Sequence, residues 1–544
     1  MKTNYSSALT NGHLDPTMTF QALQSSGYEG ERELAMERVG LAAVHDFIDA
    51  LCREGIHFCH WKSNVRLEVS LRGETDLDLL VMREDGQRFR EILYQHNIKP
   101  VLAAPGKRYP AVEDYLGFDP TSGRSFHLHV HYQLVLGEQF VKNYRIPLET
   151  QFLESAQPVH GLPIPAPELE IIVLSLRALL KYRDRDAVKD IFKIRYPGVP
   201  DHITQEIYHL LEQCTLDDIE QTLAQLGDAV PGDVVLEFLS TIVEEPRAGY
   251  RLYQLRQRVR HALNKYQRQN RFQAVLTYLR EMWSRRGNFL RFAPQQQMTP
   301  VNGGMTLALV GADGAGKSTL SKMLRKWLGW KLDVWSYYLG SKEPSRRSRT
   351  LYKVFRMARR SHTELSKVLG ESNPLCKTLA RVRETILYLY HLSIGHDRFG
   401  RYAQGMKKAM AGSIVIFDRF PLESLGSGDN FHLLDGPQIT LDDTGDGTRV
   451  RGFWAEAFAA AERALYRKML PPDCLIVLEV DPDVSMQRKP DHERATIEKK
   501  SAAINLLAGL ESLQSSGVRV IHVDANQPLD MVVSQIKREL WARL

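Results

Sequence analysis

The chain has 544 residues, more than one hydrophobic core normally serves, so two or three domains are expected. With 43% hydrophobic and 25% charged residues it has the composition of a soluble globular protein, and a net charge of +6 does not by itself demand a nucleic-acid partner. Cys52, Cys59, Cys214, Cys376 and Cys474 form no C-x-x-C pair, which fits reduced thiols in a cytoplasm better than a disulfide framework or a zinc site.

Residues 1–30 are polar and lack the apolar stretch of a signal peptide, and read as a frayed tail. The longest apolar run, 169–180, is broken by Glu170, Ser175 and Arg177 and is too short to span a bilayer. The expectation is a cytoplasmic protein.

In residues 31–164 a helical pattern gives way to apolar runs at 77–81 and 126–136, read as strands. Alternation places Asp76 and Asp78 on one strand face, where two carboxylates can share two Mg²⁺ ions for nucleotidyl transfer. The same D-x-D is equally a pair of exposed edge-strand acids. Upstream, residues 60–64 (His-Trp-Lys-Ser-Asn) are candidates for a triphosphate-contacting turn. Downstream, His127, His129 and His131 share one strand face, open to a metal or to a structural role.

Residues 165–292 read as helical throughout. Their last part, 251–291, carries eleven Lys or Arg and one acid, Glu281, interleaved with Tyr253, Tyr266, Phe272 and Tyr278. That pattern suits a solvated basic face, and also acidic lipid or stacked nucleobases. Residues 293–304 form a polar, breaker-rich linker.

From 305 to 544 strand and helix patterns alternate, with strands expected at 305–310, 332–338, 413–418, 474–480 and 518–523. This order predicts an α/β fold, a doubly wound parallel sheet. Gly311-Ala312-Asp313-Gly314-Ala315-Gly316-Lys317-Ser318-Thr319 follows the first strand, opens a helix and matches G-x-x-x-x-G-K-[ST], a P-loop. Its backbone N–H groups converge on phosphate oxygens, Lys317 reaches the β- and γ-phosphates, and the Ser318 hydroxyl ligates Mg²⁺. Asp418 and Arg419 close the third strand, where strand ends face the ligand crevice. Asp418 is expected to hold the metal through water and Arg419 to contact transferred phosphate. Arg488 and Arg494 are candidates to close over the phosphates.

Residues 305–544 resemble thymidylate kinases and related P-loop kinases in the 313–319 loop, in Asp418-Arg419-Phe420 and in the basic 488–494 segment. The resemblance implies ATP- and Mg²⁺-dependent transfer to a monophosphate, with Asp313 near the acceptor sugar, Arg398 or Arg401 near its phosphate, and a homodimer. Val310 stands where those kinases carry Glu, and 342–345 only echoes their Arg-Glu-Pro-Gly-Gly stretch. A polar insertion with Asp442, Asp443 and Asp446 is further departure.

Residues 31–192 resemble polymerase-β-type nucleotidyltransferases, an α+β fold, but His129 stands in place of their third acid. The leading expectation is therefore a fused accessory enzyme acting on a phosphorylated small molecule, a nucleotide or another monophosphate, similar to fusions in bacterial polysaccharide clusters. A nucleotide-sensing protein without turnover and a nucleic-acid-associated factor are the alternatives.

Overall fold

The computed structural model describes residues 39–138, 140–183, 186, 188, 198–245, 249–286, 297–421, 435–440, 448–449, 453–508 and 517–544. The 1–30 tail and the three insertion acids, Asp442, Asp443 and Asp446, lie outside them. The chain divides into two compact units, 1–295 and 296–544.

In the first unit the strands are β1 (Phe58–His60), β2 (Leu77–Val81), β3 (Lys99–Leu102), β4 (Val112–Asp119) and β5 (Arg124–His131), followed by the short hairpins β6 (Leu134–Leu136) with β7 (Tyr144–Ile146) and β8 (Gln157–Val159) with β9 (Leu162–Ile164). The apolar run expected as one strand is thus two, β5 and β6. The sheet order is β1-β2-β5-β4-β3, and only the β2–β5 pair is parallel. Helices Ala42–Arg53 and Gly86–Gln95 bury Phe47 and Phe89 against it, rings 5.9 Å apart. On its other side Cys59, Trp61 and Leu80 join a core made by Pro167–Lys181 and the helices that follow, so sheet and helices share one apolar interior. Glycine is required at 117: a Cβ there would sit 2.0 Å from the Phe126 ring.

The second unit opens with a two-residue strand, β10 (Thr299–Pro300). Then come β11 (Met305–Gly311), β12 (Val334–Tyr338), β13 (Ile414–Asp418), the two-residue pair β14 (Ile439–Thr440) and β15 (Thr448–Arg449), β16 (Cys474–Glu479) and β17 (Arg519–Asp524). The main sheet is all parallel in the order β12-β13-β11-β16-β17. Strands buried on both faces read as continuous apolar runs, as Cys474-Leu-Ile-Val-Leu478 does here. Tyr402, Ala409, Tyr466, Ala503 and Ile504 cover one face of the sheet. Helices Lys317–Leu328 and Leu529–Arg543 meet through Trp327 and Trp541, rings 6.4 Å apart. Going from β11 to β12 the chain moves one way along the sheet, and from β12 to β13 it turns back. With right-handed crossovers, the successive connections fall on opposite faces and a crevice opens beyond the β11 and β13 ends.

Candidate functional site

That crevice is where the loop sits. β11 ends at Gly311 and the helix begins at Lys317, so 312–316 must turn within one short loop. Gly314 (φ +89) and Gly316 (φ +88) take left-handed conformations that a side chain resists. A Cβ on Gly314 would meet Ser485 Oγ at 2.8 Å, and one on Gly311 the Leu478 carbonyl oxygen at 2.8 Å, so the loop is packed against the strand and helix beside it.

Lys317 is buried, and its ammonium donates to the Gly311 and Ala312 carbonyls, both at 2.7 Å. Burial, then the nearby Arg419 charge, pushes it down to about 8. Asp313 accepts from Lys500 Nζ at 2.6 Å and lies 3.6 Å from Arg419. Burial acts to raise its carboxyl, but Lys500, Lys317 and Arg419 together hold it well below the usual range.

Arg419 has φ +72, an uncommon conformation for a residue with a long side chain, and it follows directly on β13. This turn aims the guanidinium into the crevice, 3.2 Å from Asp435 and over the Tyr338 ring. Asp418 is buried, and its Oδ1 lacks a hydrogen-bond partner among the described residues. A buried carboxylate oxygen left open beside a P-loop fits a hydrated Mg²⁺, with the exposed Ser318 hydroxyl as the direct ligand.

A cavity of about 410 Å³ is lined by 313–320, Arg419, Arg488 and Lys489, and on its far side by Ala525, Gln527, Leu529 and Val532. Arg488 is tied to the Ala525 carbonyl at 2.9 Å. The structure thus brings Asp313, Gly314, Ala315, Gly316, Lys317, Ser318, Thr319, Arg419 and Arg488 together. It does not bring Arg494: that side chain is on the surface, paired with Asp483 at 2.9 Å and Glu498 at 2.8 Å. Lys489 lines the cavity in its stead. Arg398 does not line this cavity. It is buried, donating to the Asp435 carbonyl at 2.8 Å and the Tyr466 hydroxyl at 2.6 Å, so it props the turn that positions Asp435. Arg401 donates to the Glu343 and Gly340 carbonyls at 2.6 and 3.2 Å and braces the 340–343 loop. Lys500 escaped sequence reasoning because it lies on a helix face with no motif around it.

In the first unit the parallel register sets Asp78 beside His129. The two carboxylates expected to share metal are instead engaged separately. Asp76 lies 2.9 Å from His127 Nδ1, and Asp78 pairs with Lys62 Nζ at 2.6 Å and His129 Nδ1 at 3.0 Å. Asp78 is partly buried; loss of water acts to raise it, but Lys62 and the histidines hold it well below the usual carboxylate range. Burial lowers His129 and lowers His131 well below the usual imidazole value. This arrangement does not fit a two-Mg²⁺ clamp, because the groups beside the two carboxylates are imidazole nitrogens where a pair of Mg²⁺ ions asks for oxygens.

The basic 251–291 stretch is split between helices Gly249–Ala262 and Arg271–Arg286, and residues 287–291 lie outside the described residues. Arg258 pairs with Asp233, and Arg251 with Glu244, so part of that charge is compensated locally. Among the described residues no helix is long and apolar enough to cross a membrane.

No family model matches the chain. It is similar to the uncharacterized ATP-binding protein YghR of Escherichia coli (strain K12), 29% identical over 251 residues, which cover 45% of this chain and 89% of that protein. The uncharacterized ATP-binding protein YghS of the same strain is 27% identical over 261 residues, covering 45% and 95%. Among solved structures, deoxyadenosine kinase from M. mycoides with dCMP and dCDP aligns at 17% identity and a TM-score of 0.27, over 44% of this chain and 100% of that one. Its dATP-bound form gives 17% and 0.26, over 43% and 99%.

Proposed function

We propose that residues 305–544 bind ATP with Mg²⁺ and transfer its terminal phosphoryl group to a small phosphorylated acceptor, in the manner of nucleoside monophosphate kinases. The observation that carries this reading is the single cavity in which Lys317, Arg419 and Arg488 converge on the glycine loop. The names of the two E. coli relatives, both ATP-binding proteins, support the donor.

The chain's own residues suggest the division of labour. The loop N–H groups and the helix N-terminus take the β-phosphate. Lys317 leaves the Gly311 and Ala312 carbonyls for phosphate oxygens, a shift of a flexible side chain. Ala525, Leu529 and Val532 offer an apolar wall, with the Gln527 amide beside it, suited to a flat base. Ser318 and Asp418 would hold Mg²⁺, which supplies charge neutralisation on the β- and γ-oxygens when bound. Arg419 and Arg488 face the charge that builds on the transferred group, where preformed donors contribute most. Asp313, kept ionised by Lys500, stands on the acceptor side and orients a hydroxyl.

For the first unit we propose a nucleotidyltransferase-like fold without paired-carboxylate chemistry, supported by the engagement of Asp76 with His127 and of Asp78 with Lys62.

The test is ATP turnover against a panel of nucleoside and sugar monophosphates. Lys317→Ala is expected to cut transfer by about a hundredfold or more, as loss of a preorganised phosphate contact does. ATP bound tightly but never consumed across the panel would overturn transfer and leave a nucleotide sensor.

A further inference from the structure

One buried donor in the first unit remains without a partner among the described residues. His131 is fully buried on β5, and neither ring nitrogen has a hydrogen-bond partner among the described residues. A buried polar group left so is destabilising, which a fold does not accept without return. The His131 ring is edge-on to Trp61 at 5.0 Å and to His129 at 4.4 Å, so it is held in place by packing. Asp78, His129 and His131 each present one ligand atom, all within 4.8 Å of one another. They come from adjacent strands, β2 and β5, whose register fixes their spacing.

We propose that Asp78, His129 and His131 form a site for one divalent transition-metal ion of the zinc class, with an open fourth position. Two imidazoles and a carboxylate match the preference of Zn²⁺, Co²⁺ or Fe²⁺, whereas Mg²⁺ asks for an octahedron of oxygens. Three protein ligands and a free position are the donor count of catalytic zinc sites rather than structural ones. A tetrahedral ion wants donors about 3.3 Å apart, given bond lengths near 2 Å. Asp78 Oδ1 and His129 Nδ1 already stand 3.0 Å apart, and the His131 donor lies within 4.8 Å of the other two. The Lys62 ammonium, 2.6 Å from the same Asp78 oxygen, competes with the ion for its charge. Ion binding therefore releases Lys62, a cation set free beside the open position and able to meet an anionic ligand there.

The experiment is Zn²⁺ and Co²⁺ titration of the full chain by equilibrium dialysis and Co²⁺ absorption spectroscopy, in an Asp418→Asn background that removes the β13 carboxylate facing the second unit's crevice. Expected are one ion per site, the intense visible bands of four-coordinate Co²⁺, and no displacement by millimolar Mg²⁺. His129→Gln and His131→Gln should each weaken binding at least about tenfold. Lys62→Met should tighten it about tenfold, because the competing charge is gone, and a misfolded variant cannot mimic that gain. Unchanged affinity in His131→Gln, or unchanged or weaker affinity in Lys62→Met, would overturn the assignment.

Discussion

Lys317 carries two conflicting demands: it must be buried to reach phosphate, and it must stay charged to hold it. Burial has moved its folded value down to about 8, below the ordinary lysine value of 10.5. The free site is therefore protonated well below pH 8 and loses its proton as pH rises through that value. A bound triphosphate stabilises the ammonium and returns the value upward. Linkage then requires proton uptake on ATP binding at pH 8, about half a proton per site, and less at pH 6.5 where the amine is already charged. Calorimetry in buffers of different ionisation enthalpy measures it, and Lys317→Met should abolish it. An uptake that survives in Lys317→Met would assign the proton to another group.

The element that makes the site is a strand, a loop and a helix that tolerate side chains unequally. Gly316→Ala faces open space but opposes a left-handed φ; Gly314→Ala opposes both φ and the Ser485 wall. Gly314→Ala should thus destabilise by about 1–3 kcal/mol, more than Gly316→Ala, and weaken ATP binding in step. Denaturant unfolding of the two variants checks the ranking. The strand positions and the P-loop were legible in the chain because a sheet buried on both faces demands apolar runs and a phosphate cradle demands glycines at fixed spacing. The partners of Arg494 and Arg398 were not legible there for a different reason. Charge along a segment does not say which side chain a helix turns inward, and Asp483 and Tyr466, which hold these two arginines, are remote from them in sequence or unmarked by any pattern.

At the scale of the molecule, a ligand that binds only the folded second unit must stabilise it by mass action. At an ATP concentration a hundred times its Kd the gain is about 2.7 kcal/mol. Hydrogen exchange of the β11, β13 and β16 amides should slow by about a hundredfold under those conditions, provided they exchange through unfolding of that unit. No slowing at saturating ATP would contradict the proposed site. The amino-acid sequence by itself determined the parallel α/β architecture of the second unit, the glycine loop and the strand-terminal position of Asp418-Arg419, because these follow from local periodicity and backbone demands. Only the tertiary structure decided which cations reach the phosphate cavity, that Lys500 guards Asp313, and that Asp76 and Asp78 are separately engaged. Each of those depends on strand register and helix packing between residues distant in the chain, which no local pattern encodes.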